Sequence, residues 1–217
     1  RRINVRHPKC HIHVDAVQAI GLVDLSGLSG AHSLSLSAHK IHGPKGIGAL
    51  VFDPSRAPRP LWGGGGQEFG IRSGTQNVAG AIGLARAVEL ALDQWEPRAE
   101  AIARERDRLV DGLVSTIRGC WLVGDAERRS PANAMVAVDG TTSDALVGAL
   151  DREGVIASVG SACHGADKSL SKTLEAIGHD RSAGTVRFGL SRHTTDADID
   201  TTITIFSNVV DELRRKS

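Results

Sequence analysis

Apolar and polar residues alternate along two short stretches near the start of the chain. The run HIHV, residues 11–14, places its histidines on one face and its aliphatic residues on the other, which predicts a strand. A helix is expected to begin directly after it, at Asp15. The run AHSLSLSAHK, residues 31–40, has the same period of two and predicts a second strand. After a glycine turn, GIGALVF at residues 46–52 predicts the hairpin partner of that second strand.

The pattern then changes from strands to a long loop and two helices. Residues 54–75 carry several prolines and a run of four glycines, which predicts an irregular loop. Residues 77–92 and 96–117 have helical periodicity. Pro97 lies near their junction and predicts a break there, which we interpret as a hinge between two domains.

Short strands and helices alternate in the remainder of the chain. Strands are predicted at residues 120–124, 133–140, 155–159 and 185–191. One helix is expected from Ser143, as its N-cap, to Gly154, as its C-cap. The closing helix, residues 195–216, has acidic residues in its first turn and basic residues in its last, as the helix dipole favours. The pattern predicts an α/β fold with two domains, residues 1–96 and 97–217.

Composition narrows the class of protein. The 217 residues have a net charge of +1, 3% aromatic residues and no tyrosine, which argues against direct binding of nucleic acid. No apolar run reaches the length of about 20 residues that a membrane helix needs. The three cysteines, Cys10, Cys120 and Cys163, are widely spaced, which favours a reducing, cytoplasmic environment over a disulfide framework.

The second predicted strand leads into the segment HKIHGPKGIG, which contains two lysines, Lys40 and Lys45. Its glycines suggest a phosphate loop, but their spacing matches neither common nucleotide-binding fingerprint. Lys40 lies where the strand is expected to end, and ligands of α/β sheets bind near such ends. A single lysine is also compatible with a solvated surface position, so this segment alone does not decide its function.

Five segments taken in order resemble a known family. HVDAVQ, SLSAHKIHGPKGIGAL, GGGQEFGIRSGT, GSACHG and TVRFGLSRHTTDADID together are similar to the NifS/IscS-type cysteine desulfurases, which belong to the class-V aminotransferases. The resemblance extends over essentially the whole chain and corresponds to the C-terminal half of the family's usual length. It implies an aspartate-aminotransferase-like fold (fold type I), with part of the large domain at residues 1–96 and the small domain at 97–217. A truncated or split chain is therefore expected.

The resemblance implies a pyridoxal 5'-phosphate site in the first domain. It makes Lys40 the lysine that bonds to the cofactor and moves the substrate proton, and Asp15 the partner of the pyridine nitrogen. Gln18 would contact the phenolic oxygen of the cofactor. Ser37 and His39, expected to alternate on one strand face, would bind its phosphate. Taken singly, each of these residues is also compatible with a structural role, such as an N-cap at Asp15.

The resemblance assigns three further residues and the partners. Thr75 would reach the phosphate of a neighbouring subunit, which implies a homodimer with shared active sites. Cys163, in GSACHG, would take sulfur from L-cysteine as a persulfide and pass it to an acceptor such as an iron–sulfur scaffold protein. Arg187 would bind the substrate carboxylate, for which a bidentate donor is suited.

Alternatives remain beside this cysteine desulfurase hypothesis. A related pyridoxal-phosphate lyase, such as a selenocysteine lyase, is one. A catalytically incomplete fragment that serves in dimerisation or partner binding is another. Metal binding is not expected, because His7, Cys10, His11 and His13 match no standard zinc spacing. Cys10 and Cys120 match no family segment and are expected to be structural.

Overall fold

The computed structural model describes residues 6–7, 9–159, 172–179 and 183–216. The chain divides into two compact units, Arg1–Glu96 and Pro97–Ser217. In the described ranges, each unit has a three-stranded sheet of its own.

The sheet of the first unit consists of β1 (His13–Asp15), β2 (Ser33–Ser37) and β3 (Gly48–Phe52), in that order. Strands β1 and β2 are parallel, whereas β2 and β3 are antiparallel. The three predicted strands and the hairpin are therefore confirmed. The parallel pair is what brings the carboxyl ends of β1 and β2 to the same edge of the sheet.

The segment after β1 differs from the prediction. A helix was expected from Asp15, but residues 17–22 form successive turns instead. The N–H groups of Ala19 and Leu22 bond carbonyls three residues earlier, at distances of 2.9 and 3.0 Å. Gly21 then adopts a φ of +73°, a left-handed conformation that ends the turns before a full helix can form.

Helix α1 (Val78–Leu92) follows the predicted irregular loop, which contains only short 3-10 turns at Pro54–Arg56 and Glu68–Gly70. The Asn77 side chain accepts the Gly80 N–H at 2.9 Å and so caps the first turn. The buried positions of α1 recur at intervals of three and four residues and form one face: Gly80, Leu84, Ala87 and Ala91.

The junction between the two predicted helices lies between residues 92 and 95, as their predicted bounds place it. Helix α2 (Trp95–Thr116) contains Pro97 in its first turn, where the missing N–H of proline costs no hydrogen bond. The break lies earlier, at Gln94, whose φ of 48° is left-handed. The predicted break near the junction is therefore present, but Gln94 rather than Pro97 forms it.

The sheet of the second unit is antiparallel and has the order β4 (Cys120–Leu122), β5 (Asn133–Asp139) and β6 (Ala183–Gly189). These three strands were predicted. A further strand was expected at residues 155–159, but it is reduced to a single bridge between Ser158 and Arg187.

Three further helices complete the described part of the second unit: α3 (Ser143–Arg152), α4 (Lys172–Ala176) and α5 (Asp196–Lys216). The N-cap of α3 is Thr142 rather than the predicted Ser143, because the Thr142 hydroxyl accepts the Ala145 N–H. Ser143 instead accepts the Thr185 N–H at 2.9 Å and ties the helix to β6. The largest fully buried side chains all belong to this unit: Phe206, Leu113, Leu146, Leu150, Val136, Val138, Val186 and Val210.

Helix α5 begins at a reciprocal capping arrangement. The Asp198 carboxylate accepts the Thr195 N–H at 2.9 Å and the Thr195 hydroxyl at 2.8 Å, while the Asp198 N–H donates to that hydroxyl at 3.2 Å. These hydrogen bonds, of which the backbone one has the larger effect and the side-chain one the smaller, lower the pKa of Asp198.

Among the described helices, none is both long and apolar enough to cross a membrane.

The substitution Thr195→Ala is expected to lower the free energy of unfolding at pH 7 by about 1 kcal/mol, as the loss of an N-cap does. Thr201→Ala, at an exposed position of the same helix, is the matched control and should change stability little. Because the folded-state pKa of Asp198 is lowered, the contribution of its carboxylate is complete above about pH 4 and is lost as the pH falls through the lowered value. Urea unfolding of both variants at several pH values tests this; equal stabilities would contradict it.

Candidate functional site

Two polar side chains mark the carboxyl ends of the parallel strands. Asp15 ends β1, and Ser37 ends β2. Their strands pair in the register Asp15 with Ser35, and the Ala16 N–H donates to the Ser35 carbonyl at 2.9 Å. The exposed Asp15 carboxylate also accepts the Val17 N–H at 3.0 Å, which holds it at the start of the turn. This edge of the sheet is where ligands of α/β folds bind.

Lys40 does not lie on the strand, as the sequence suggested, but on the turn that follows it. Strand β2 ends at Ser37, and residues Ala38–Ile41 form a 3-10 turn. The Ala38 carbonyl accepts the Gly43 N–H at 2.8 Å, and His42 adopts a left-handed φ of 64°. This closed turn reverses the chain and leaves Lys40 exposed at the carboxyl end of β2.

Ser37 and His39 are brought together by the same turn. They were expected to alternate on one face of a strand, but only Ser37 belongs to β2. The turn instead folds His39 back, so that its Nδ1 lies 2.8 Å from the Ser37 hydroxyl in a hydrogen bond. The two side chains therefore form one hydrogen-bonded pair directly before Lys40.

Helix α1 packs against this turn through small residues. A Cβ added at Gly43 would lie 2.8 Å from the Ala87 Cβ and 3.0 Å from the Ala38 carbonyl oxygen. A Cβ at Gly83 would similarly lie 2.5 Å from the Pro44 ring. The helix can approach the turn this closely only because these glycines have no side chain.

The other expected cofactor residues lie at exposed positions. Gln18 is in the turns that follow β1, and Thr75 is in the loop that precedes α1. Arg187 belongs to the second unit and is partly buried in β6, where its backbone exchanges two hydrogen bonds with Ser158, at 3.1 and 2.8 Å. Cys163 lies outside the described residues.

The two remaining cysteines differ in environment. Cys10 is exposed, whereas Cys120 is buried. Burial raises the pKa of the Cys120 thiol to about 11, so that it stays protonated at neutral pH and is a weak nucleophile. Among the described residues, no three His, Cys, Asp or Glu side chains are grouped as a metal site would need.

A set of side chains that sequence reasoning did not connect lies beside Asp15 on the same sheet face. The Ser33 hydroxyl lies 2.8 Å from His11 Nε2 and 2.8 Å from His13 Nδ1. The alternation of residues 11–14 placed both histidines on one face, but their serine partner is distant in the chain. Ser33 becomes a partner of the histidines because it pairs with His13 in the parallel strands, and this register cannot be read from the local pattern.

Comparison with known proteins identifies the family. The model of the aminotransferase class-V family matches residues 2–202. The chain is 41% identical over 211 residues to a cysteine desulfurase of Gluconacetobacter diazotrophicus, an alignment that covers 94% of this chain and 52% of that protein. It is 40% identical over 209 residues to the cysteine desulfurase NifS of Azotobacter vinelandii, with 94% of this chain and 52% of that protein covered. The chain thus spans about half the length of the curated relatives it matches.

Solved structures agree with this relationship. A NifS-like protein superimposes with a TM-score of 0.84 at 31% identity, covering 97% of this chain and 55% of that chain. A NifS-like protein from Rickettsia africae gives a TM-score of 0.85 at 25% identity, covering 97% and 56%. The predicted aspartate-aminotransferase-like α/β fold is therefore confirmed.

The close packing of α1 on the turn predicts a specific sensitivity at Gly43. Gly43→Ala should lower the free energy of unfolding by about 1–3 kcal/mol, because the new Cβ must displace Ala87 or the Ala38 backbone. Gly27→Ala is the matched control, since a Cβ there meets nothing within 4 Å. Urea unfolding should separate the two variants. An unchanged midpoint for Gly43→Ala would contradict the packing.

Proposed function

This chain belongs to the aminotransferase class-V family, and we propose that it is a cysteine desulfurase, which converts L-cysteine to L-alanine and transfers the sulfur to one of its own cysteines. The observation that carries this proposal is the set of side chains at the carboxyl ends of β1 and β2. A carboxylate, a hydroxyl–imidazole pair and a lysine lie at one edge of the parallel pair: Asp15, Ser37 with His39, and Lys40. The relatives named cysteine desulfurase support the same activity.

The chemistry of these side chains fits pyridoxal 5'-phosphate. A carboxylate suits a protonated pyridine nitrogen, the hydroxyl–imidazole pair can donate to a phosphate, and an exposed amine can bond to the aldehyde. When bound, the cofactor supplies an electron sink for charge that develops on the substrate Cα. Asp15 would hold the ring nitrogen, Ser37 and His39 the phosphate, and Gln18 the phenolic oxygen.

Lys40 is proposed to move the reacting proton. Its amine takes the proton from the substrate Cα and later returns a proton to the product carbon, as a positioned general base and acid does. The 3-10 turn limits where its Nζ can reach, because the backbone of the turn is closed by the Gly43–Ala38 hydrogen bond. Lys45 lies beyond this turn, in the exposed reversal that leads to β3, and is given no such role.

Three residues are proposed to complete the reaction. Arg187 binds the substrate carboxylate with its planar, bidentate guanidinium. Cys163 forms a bond to the substrate sulfur as the bond from that sulfur to carbon breaks, which leaves a persulfide on Cys163 and, after protonation of the carbon, L-alanine. Thr75 contacts the phosphate of a second subunit, so that the active protein is a homodimer. The persulfide then passes to a cytoplasmic acceptor, for which an iron–sulfur scaffold protein is the proposed class.

The role of Cys163 is tested by its removal. Cys163→Ala should reduce sulfide release from L-cysteine in the presence of a thiol by about a thousandfold or more, as the loss of a covalent nucleophile does, while cofactor absorbance stays unchanged. Cys10→Ala is the matched control, because Cys10 is exposed and is given no role. Sulfide release that survives in Cys163→Ala would contradict the proposal. Preferential turnover of selenocysteine by the unmodified protein would instead indicate a selenocysteine lyase.

A further inference from the structure

Two histidines of the first unit share one serine hydroxyl. His11 Nε2 and His13 Nδ1 each lie 2.8 Å from Ser33 Oγ, and His13 Nε2 lies 3.3 Å from Ser35 Oγ. The four side chains therefore form a continuous hydrogen-bonded chain that runs from His11, just before β1, through β1 to β2. Ser33 is only 8% exposed, so its hydroxyl depends on these ring nitrogens rather than on water.

The hydrogen-bond capacity of a serine hydroxyl restricts the protonation of the two rings. The hydroxyl has one proton to donate, and a neutral imidazole has one donor and one acceptor nitrogen. If His11 Nε2–H donates to Ser33, then Ser33 donates to His13 Nδ1, and His13 carries its proton on Nε2. In the reverse direction, both rings carry the proton on Nδ1. Opposite tautomers with both rings donating would leave the proton of the buried Ser33 hydroxyl without an acceptor, so we expect the two neutral histidines to share one tautomer.

A single added proton can move along this chain without breaking it. A proton taken up by His11 leaves Nε2–H donating to Ser33, and Ser33 donating to His13. Transfer of the Nε2 proton to Ser33, with the Ser33 proton passing to His13 Nδ1, moves the positive charge to His13 and reverses the hydrogen bonds. Two protons are not accommodated, because both rings would then donate to Ser33 and leave its buried hydroxyl without an acceptor.

We propose that His11, Ser33 and His13 form a relay that holds one shared proton, and that this relay serves the site at Asp15. The inference rests on the proposed function. His13 and Asp15 are two residues apart in β1 and so lie on the same face of the sheet. Movement of the proton to His13 places a positive charge next to the Asp15 carboxylate, and its return to His11 removes that charge. His11, Ser33 and His13 are positioning residues in this scheme.

A third histidine, His32, lies beside the His11 end of the relay. The His32 ring lies 5.4 Å from the His11 ring, and its Nδ1 accepts the Ile12 N–H at 2.8 Å. Desolvation, and then the charges of Arg56 and His11, lower the pKa of His32, against an opposing effect of Asp53. The lowered pKa of His32 disfavours a second positive charge beside the His11 ring. Arg56 and Asp53 act on His32, the Cys10 thiol donates to the His11 carbonyl at 3.7 Å, and Asp15 follows His13 by two residues in β1.

Nitrogen NMR of the full chain without cofactor tests the relay directly. With histidine labelled on both ring nitrogens, His11 and His13 should show the same neutral tautomer and take up one proton as a pair. In Ser33→Ala the rings should titrate independently, and the doubly protonated form at a given pH should rise by about tenfold or more. Opposite tautomers in the unmodified chain, or an unchanged titration in Ser33→Ala, would overturn the relay.

Two further measurements keep the test decisive. His11→Ala removes an exposed side chain and should leave His13 with a mixture of tautomers, because Ser33 can then donate or accept; an unchanged His13 would overturn the coupling. In the cofactor-loaded enzyme, Ser33→Ala should alter the pH profile of kcat with little change in KM. An unchanged pH profile of kcat would contradict the proposed effect of the relay on Asp15. Because the NMR measurement needs neither cofactor nor cysteine, its failure is distinguishable from failure of the desulfurase proposal.

Discussion

The close approach of α1 to the turn after β2 is the contact on which the candidate site depends. Gly43 has space only for a hydrogen atom between Ala87 and the Ala38 backbone, and Gly83 faces Pro44 in the same way. A larger residue at these positions would push the helix away from the turn or open the turn itself. The small-residue face of α1 therefore determines the path of the chain directly after β2, where Lys40 lies.

The two lysines of this segment are distinguished by that path. Lys40 is in the turn at the carboxyl end of β2, next to the hydrogen-bonded pair of Ser37 and His39. Lys45 lies in the exposed reversal that leads to β3. The glycines around Lys45 serve the hairpin: a Cβ at Gly48 would lie 2.6 Å from the Leu36 carbonyl oxygen of the paired strand. They form a turn and a close strand pair rather than a phosphate loop.

Local patterns predicted most elements but not the contacts between them. Alternation predicted the three strands of the first unit, and periodicity predicted α1 and the closing helix. The end of β2 at Ser37 was missed, because it depends on the packing of Gly43 against Ala87, which is distant in the chain. The Ser33 link between His11 and His13 was missed for the same reason, since it depends on the register of two strands. The N-cap at Thr142 was missed because Ser143 bonds to β6 instead.

We propose that Lys40, and not Lys45, bonds to the cofactor. The most direct measurement is to load the protein with pyridoxal 5'-phosphate, reduce it with borohydride and locate the stable adduct by peptide mass spectrometry. We expect an adduct on Lys40 that is lost in Lys40→Ala and retained in Lys45→Ala. An adduct on Lys45, or one that persists in Lys40→Ala, would contradict it.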